Sequence, residues 1–261
     1  MAIYTLTPAQ LKGAGIYNSF EIPSFADTKS FQFDGITDRF IGVGNYSELD
    51  GQNKATISFW IKPPSVISSL QIVASVIKNA TASNHQFEAT LGTNGTIQIS
   101  MDTGSKYIRA SSTPLNLNAW NHVMFCFDTT QGLGANRGRV FINGVNSTSA
   151  TSVSGVFSTA TGGLYIAENQ NGQYDPFEGL LNEIAIWSGS DQRANVSEIY
   201  NGGLPNDLNN LPTAPQPTTW QRMGENATWS GFAWTMYDVN GNYRHRGAGI
   251  PEEGRTTDVP T

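Results

Sequence analysis

The stretch LYIAENQNGQYDPFEGLLNEIAIW, Leu164 to Trp187, decides the fold. It reads as two strands joined by a polar loop, with Gly179 at the start of the second strand. After that glycine, Leu180, Asn182, Ile184 and Ile186 share one face, and Leu181, Glu183, Ala185 and Trp187 share the other. Apolar residues on both faces place the strand inside a sheet rather than at its edge. Two upstream stretches read as its partners: TISFWIKP, Thr56 to Pro63, and the pair NAWNHVMFCFD and GRVFINGV between Asn118 and Val145.

The rest of the chain is consistent with an all-β protein. KSFQFDGITDRFIGV alternates Phe31 and Phe33 with Ser30 and Gln32, and a turn at Asp34-Gly35 leads into another strand. QIVASVIK, HQFEATLG, TIQISMD and KYIRAS follow at short spacing. WNHVMFCFD and RGRVFING form a hairpin pair, and Asn143-Gly144 is a strong two-residue turn signal. The one helical signature is NVSEIYNGG, a short helix stopped by Gly202. The 27 glycines and only 14% charged residues suit short strands linked by tight turns.

At 261 residues the chain is long enough for one large core plus appendages. A net charge of −6 argues against nucleic-acid binding, which needs Lys and Arg to displace counterions. No run approaches the ~20 apolar residues of a membrane helix, and MAIYTLTPAQ lacks the pattern of a secretory signal. The single cysteine, Cys126, excludes an internal disulfide and sits in the apolar run VMFCF, as a buried inert thiol would.

Four segments are expected. Residues 1–25 form an N-terminal arm in which Thr7-Pro8-Ala9-Gln10 has capping-box form. Residues 26–204 form the sandwich. Residues 205–219 are a proline-rich linker, and residues 220–261 are a C-terminal extension. Trp220, Trp229 and Trp234 crowd the extension, which is too polar and glycine-rich to bury them alone. They need a surface to cover, on this sandwich or on another subunit. The expectation adopted is assembly: arm and extension bury against neighbouring subunits in a homo-oligomer, and the sandwich folds without them.

These motifs resemble a known family. FDGITDRFIGV, Thr56-Ile-Ser-Phe-Trp-Ile61, Trp120-Asn-His-Val123, Phe141-Ile-Asn-Gly144 and FEGLLNEIAIW followed by VSEIY occur in the order seen in laminin-G-like and pentraxin domains. The resemblance covers about two thirds of the chain. It implies a concanavalin A-like jelly-roll sandwich of two antiparallel sheets, a fold that binds ligands more often than it catalyses. The flanks IYTLTPAQLKGAGIYNSFEIP, TTWQRMGENATW and MYDVNGN resemble flanks around such modules in tailed-phage virion proteins. That implies a virion component assembled in host cytoplasm, on capsid or tail, with other virion proteins as partners and no membrane insertion. The alternative is a lectin module of a tail fibre that binds a host-surface glycan.

The resemblance also supplies candidate chemistry. Glucanases of this fold carry two carboxylates on one strand, about 5 Å apart in retaining enzymes. The matching strand here offers Glu183, but Ala185 and Trp187 occupy the other acidic positions, so no enzyme is expected. Pentraxins hold calcium with a Glu-Gln-Asp loop before their last strands. The corresponding residues are Glu168, Asn169, Gln170 and Asp175, while the upstream Asp-Asn pair is replaced by Asn84-His85. Calcium prefers several carboxylates, so the site reads as degenerate. A glycan site would use loop aromatics beside amides and acids, for which Tyr46, Asn171, Tyr174 and Asp175 are the candidates. His85, His122 and His245 are too scattered for zinc, and His122 reads as a structural strand residue.

Overall fold

A computed structural model describes residues 25–77, 85–101, 106–110, 113–132, 136–160, 162–168, 175–241 and 243–261. The N-terminal arm up to residue 24 lies outside the described residues, as do Asn169, Gln170, Asn171 and Tyr174.

The strands run β1 (Ser30–Asp34), β2 (Arg39–Gly42), β3 (Lys54–Lys62), β4 (Gln71–Ile77), β5 (His85–Leu91), β6 (Ile97–Met101), β7 (Lys106–Ala110) and β8 (Asn121–Asp128). There follow β9 (Gly138–Ile142), β10 (Val145–Asn146), β11 (Thr148–Thr151), β12 (Leu164–Ile166), β13 (Asp175–Pro176) and β14 (Glu178–Ser188). After a short helix at Val196–Tyr200 come β15 (Thr219–Gln221), β16 (Ala227–Trp229), β17 (Trp234–Tyr237), β18 (Arg244–Ala248) and β19 (Arg255–Thr256).

They form two sheets. The first has the order β10-β9-β8-β3-β14-β1-β19, with β15 also on β14. The second has the order β11-β7-β6-β5-β4-β12-β2-β18-β17-β16, with β13 on β4. The expected two-sheet sandwich is therefore present, and β14 is interior, as its apolar faces require. The hairpin of β8 and β9 pairs Val123 with Ile142. Asn143 and Gly144 both have positive φ, 49° and 76°, the backbone that their two-residue turn into β10 needs. Asp34 and Gly35 do not close a hairpin within one sheet. They carry the chain from the first sheet to the second, and the Asp34 carboxylate accepts the backbone N–H groups of Ile36, Thr37 and Asp38.

The core lies between the sheets. Phe31, Phe33, Phe40, Phe59, Phe87 and Phe125 are fully buried there. A second apolar layer lies outside the first sheet. Met124, Cys126, Ala185 and Trp187 pack there with Ile199 of the short helix and with Trp220.

The C-terminal extension departs from the assembly expectation. It is built into both sheets of its own chain. β15 pairs with β14, β18 pairs with β2, and β19 pairs with β1. Trp220 and Trp234 are each 2% exposed, and Trp234 sits edge-on to Phe31 in the main core with centroids 5.2 Å apart. Trp229 is half-buried against Trp234. Trp220 and Trp234 are covered within this chain, because β15 and β18 fill positions beside β14 and β2 that would otherwise leave backbone groups unpaired. The linker is pinned as well: the Trp187 indole N–H donates to the Pro215 carbonyl at 2.7 Å. Asp258 near the C-terminus accepts from Lys62 at 2.5 Å and from the Trp120 indole at 2.8 Å. Trp120 itself is only half-buried and immediately precedes β8.

Candidate functional site

The outer face of the second sheet carries the residues nearest the expected ligand loop. Pairing aligns Arg246, Ile41, Tyr165, Ser75, Glu88 and Ser100 in one row across β18, β2, β12, β4, β5 and β6. Directly opposed residues share a face, so these six side chains lie on the surface turned away from the core. Tyr165, Ser75, Glu88 and Ser100 are nonetheless buried. At the other end of the row Ile41 is half-exposed and Arg246 is exposed. The face is thus closed over β4 to β6 and open over β2, β18 and β17.

Glu168 follows β12 on this face. Its carboxylate meets the Arg39 guanidinium at 2.6 Å, and its backbone carbonyl accepts from the Ser75 hydroxyl at 3.3 Å. Burial nudges the Glu168 carboxyl upward against the pull of Arg39. Asp175 stands in β13, exposed, beside Gln71 of β4. A guanidinium on one of two carboxylates is the opposite of a calcium cage, which gathers several anionic oxygens around one cation. Among the described residues no three His, Cys, Asp or Glu side chains converge on a possible metal position. Arg39 already holds the Glu168 carboxylate, and the other two expected ligands, Asn169 and Gln170, lie outside the described residues.

Tyr46 is not an exposed loop aromatic. It is fully buried, its hydroxyl lies 3.0 Å from the Thr219 hydroxyl, and its ring stands perpendicular to Tyr243 with centroids 5.2 Å apart. Both partners belong to segments more than 170 residues downstream, so Tyr46 fastens linker and extension to the sandwich and is not available to a sugar.

Glu183 occupies the most unusual backbone position of the sheet. β14 borders β3 along one edge. Along the other it borders β1 up to Leu181 and β15 from Ile184. Between the two neighbours the register against β3 slips, and Glu183 takes φ +50°. An extra residue of this kind is a β-bulge. It reverses the alternation read from the sequence: Leu181, Ile184 and Ile186 face the main core, while Ala185 and Trp187 face the outer apolar layer.

The bulge delivers the Glu183 carboxylate into the gap between β1 and β15. It accepts the Trp220 indole N–H at 2.5 Å and the Arg222 Nε at 3.1 Å. Arg222 also donates to the Ala26 carbonyl at 2.6 Å and lies 4.2 Å over the Phe25 ring, which stacks on Trp220. Asp27 accepts from the Asn182 amide at 2.8 Å. Burial pushes Glu183 up to about 8, against the pull of Arg222. Burial likewise pushes Asp27 up to about 6, opposed by its bond from Asn182 and by Arg222.

Perturbed carboxyls in a pair are a familiar mark of acid–base chemistry. Here, however, Glu183 is 3% exposed. The cavity beside it, lined by Ser58, Trp60, His122, Ile199, Asn206 and Leu208, measures about 10 Å³. That is room for one water and not for a sugar. The cluster therefore works as a clasp joining the start of the sandwich, β14 and β15. His122 is buried beside it, and burial pushes its imidazole down to about 3, so it stays neutral. Sequence reading singled out Glu183 and Trp220 separately but missed Asp27 and Arg222, which no local pattern connects to them.

The sequence profile of the family described as the concanavalin A-like lectin/glucanases superfamily, laminin G type, matches residues 37–197. Among solved structures, the heptameric SAP-like pentraxin of Limulus polyphemus is similar over 87% of this chain and 96% of its own, with 17% identity and a TM-score of 0.52. The fourth domain of a family 43 extracellular arabinanase from Geobacillus stearothermophilus, solved with arabinotriose, is 22% identical. It covers 67% of this chain and 79% of its own, with a TM-score of 0.49. Domains 4 and 5 of the mouse laminin α1 chain align at 12% identity over 62% of this chain and 42% of theirs, with a TM-score of 0.44. No curated protein matches the sequence. With two sheets in this topology and a family profile matching more than half its length, this chain belongs to the laminin G-type branch of the concanavalin A-like lectin/glucanases superfamily.

Proposed function

We propose that the protein is a non-catalytic, lectin-type module of a tailed-phage particle, displayed on capsid or tail and attached through the segment that precedes Phe25. The observation that carries the non-catalytic part is the enclosure of Glu183. The carboxylate on the strand that bears the acids in related glucanases is spent on Trp220 and Arg222. The companion positions are Ala185 and Trp187. Hydrolysis by two opposed carboxylates needs both beside the scissile bond.

Support for the particle part comes from the two flanks. The C-terminal flank, as described, completes both sheets and so belongs to the displayed body. That leaves residues 1–24 as the attachment segment, with other particle proteins or further copies of this chain as partners. In this reading calcium is not needed for folding, and the sandwich meets a glycan on the host surface.

Two measurements test the reading together. Purified protein incubated with β-glucans is expected to release no reducing sugar, and the protein is expected in purified particles. Hydrolysis abolished by Glu183→Gln would overturn the non-catalytic assignment. Absence from particles would overturn the structural one.

A further inference from the structure

Outside the stretch matched by the family, the strands β17 and β18 build a surface that nothing above assigns. Arg244 and Arg246 stand two residues apart on β18, both exposed, on the face opposite the fully buried His245. Across the strand pair they oppose Tyr237 and Thr235, and Arg246 also opposes Ile41 of β2. Tyr237 is 46% exposed, and Phe232, at the tip of the β16–β17 hairpin, is 93% exposed.

Two adjoining grooves run here, of about 520 and 610 Å³, which share Phe232, Ala233 and Arg246 as the ridge between them. Among the described residues neither Arg244 nor Arg246 has a hydrogen-bond, ion-pair or ring partner for its side chain.

From this we infer that the outer face of β17 and β18 binds an acidic saccharide, with Arg244 and Arg246 gripping its carboxylate or sulfate groups and Tyr237 and Phe232 stacking on sugar faces. Guanidinium forks match the planar, two-oxygen geometry of such anions. At about 7 Å spacing along one strand face, the pair can hold one anion together or two in succession. Aromatic rings offer the apolar C–H face of a sugar a flat partner while the hydroxyls stay in water.

An acidic peptide is the competing ligand, and the sheet disfavours it. β17 lies between β16 and β18, and β18 lies between β17 and β2, so the backbone groups of both strands are already paired. An extended peptide gains its affinity from free main-chain groups at a sheet edge. The edge here is β16, only three residues long.

The inference does not depend on the particle reading, because it is tested on the isolated full chain. Oligogalacturonate, heparin oligosaccharide, dextran and polyglutamate are titrated in a calorimeter at low and at physiological salt. Binding is expected for one or both acidic saccharides, weakening with salt. The paired change Arg244→Ala with Arg246→Ala is expected to reduce it by at least tenfold. Tyr237→Ala is expected to reduce it several-fold, with the melting temperature of each variant within a few degrees of the parent. No binding to either acidic saccharide overturns the inference. So does polyglutamate binding as tightly as the saccharides, an unchanged affinity in the double variant, or a preference for dextran. If the double variant melts early, the milder pair Arg244→Gln with Arg246→Gln carries the same expectation. Because the readout is affinity in purified protein, a negative result here leaves the particle assignment untouched.

Discussion

Trp220 donates its indole N–H to the Glu183 carboxylate across the seam between β15 and β14, 2.5 Å from nitrogen to oxygen. The bond joins residues 37 positions apart. It lies where β14 exchanges one neighbour, β1, for another, β15. It makes the buried Glu183 side chain a fastening between the sandwich and its C-terminal extension.

Removing that fastening has a calculable cost. Trp220→Ala leaves a large cavity and leaves the buried Glu183 carboxylate with Arg222 as its remaining side-chain donor, and is expected to destabilise the protein by about 3–5 kcal/mol. Trp220→Phe keeps most of the packing and loses one buried hydrogen bond, for about 1–3 kcal/mol. Urea denaturation of the three proteins checks the order. Equal midpoints for parent and Trp220→Ala would show that the extension does not depend on this residue.

The same cluster makes stability depend on pH in a stated direction. Folding raises Glu183 from its ordinary 4.5 to about 8 and Asp27 from 3.8 to about 6. The folded state therefore holds these protons more tightly than the unfolded one. Their contribution is fully present below about pH 4 and is lost as pH rises to 8. Glu183→Gln removes the larger part of that dependence. The melting temperature of the parent relative to Glu183→Gln is expected to fall between pH 5 and pH 8. A rising or flat difference would mean that Glu183 is ionised throughout.

Much of the fold is legible in the chain because the strands alternate and their turns are local. The Asn143-Gly144 turn follows from two adjacent residues, and β8 and β9 are neighbouring segments of the chain. The bulge at Glu183 is not legible, because it arises from the hand-over between β1 and β15, strands almost 190 residues apart. The fate of the tryptophans was half legible. Their number demanded a covering surface, but whether that surface was this chain or another depended on which sheet edges lay open beside β2 and β14. Tyr46 looked like a loop aromatic for the same reason: the groups that bury it, Thr219 and Tyr243, lie at the far end of the sequence.

Tyr46→Phe tests that correction. Deleting the hydroxyl leaves the Thr219 side chain without its partner, and a loss of about 1–2 kcal/mol is expected in urea denaturation. Affinity for any saccharide is expected to be unchanged. A variant of parental stability with weakened glycan binding would return Tyr46 to the list of ligand contacts.

Trp60 and Trp120 should respond differently. Trp60 is 4% exposed within β3, so Trp60→Ala is expected to cost about 3–5 kcal/mol. Trp120 is half-buried and acts mainly through its bond to Asp258, so Trp120→Phe is expected to cost about 1.5–3 kcal/mol. Thermal melts that rank the two the other way would contradict the placement of Trp120 outside the core.

Calcium is expected to leave the melting temperature unmoved, since a ligand that binds only the folded state raises it in proportion to occupancy. A rise of several degrees on adding calcium, absent in Asp175→Ala, would establish a cation site at the end of β12 despite the Arg39–Glu168 pair.

Cryo-electron microscopy of intact particles locates the protein and its attachment in one measurement. The sandwich, including β15 to β19, is expected as one outward-facing body joined to the particle through residues 1–24. Particles without it, or density in which β16 to β18 form the attachment instead, would contradict the account.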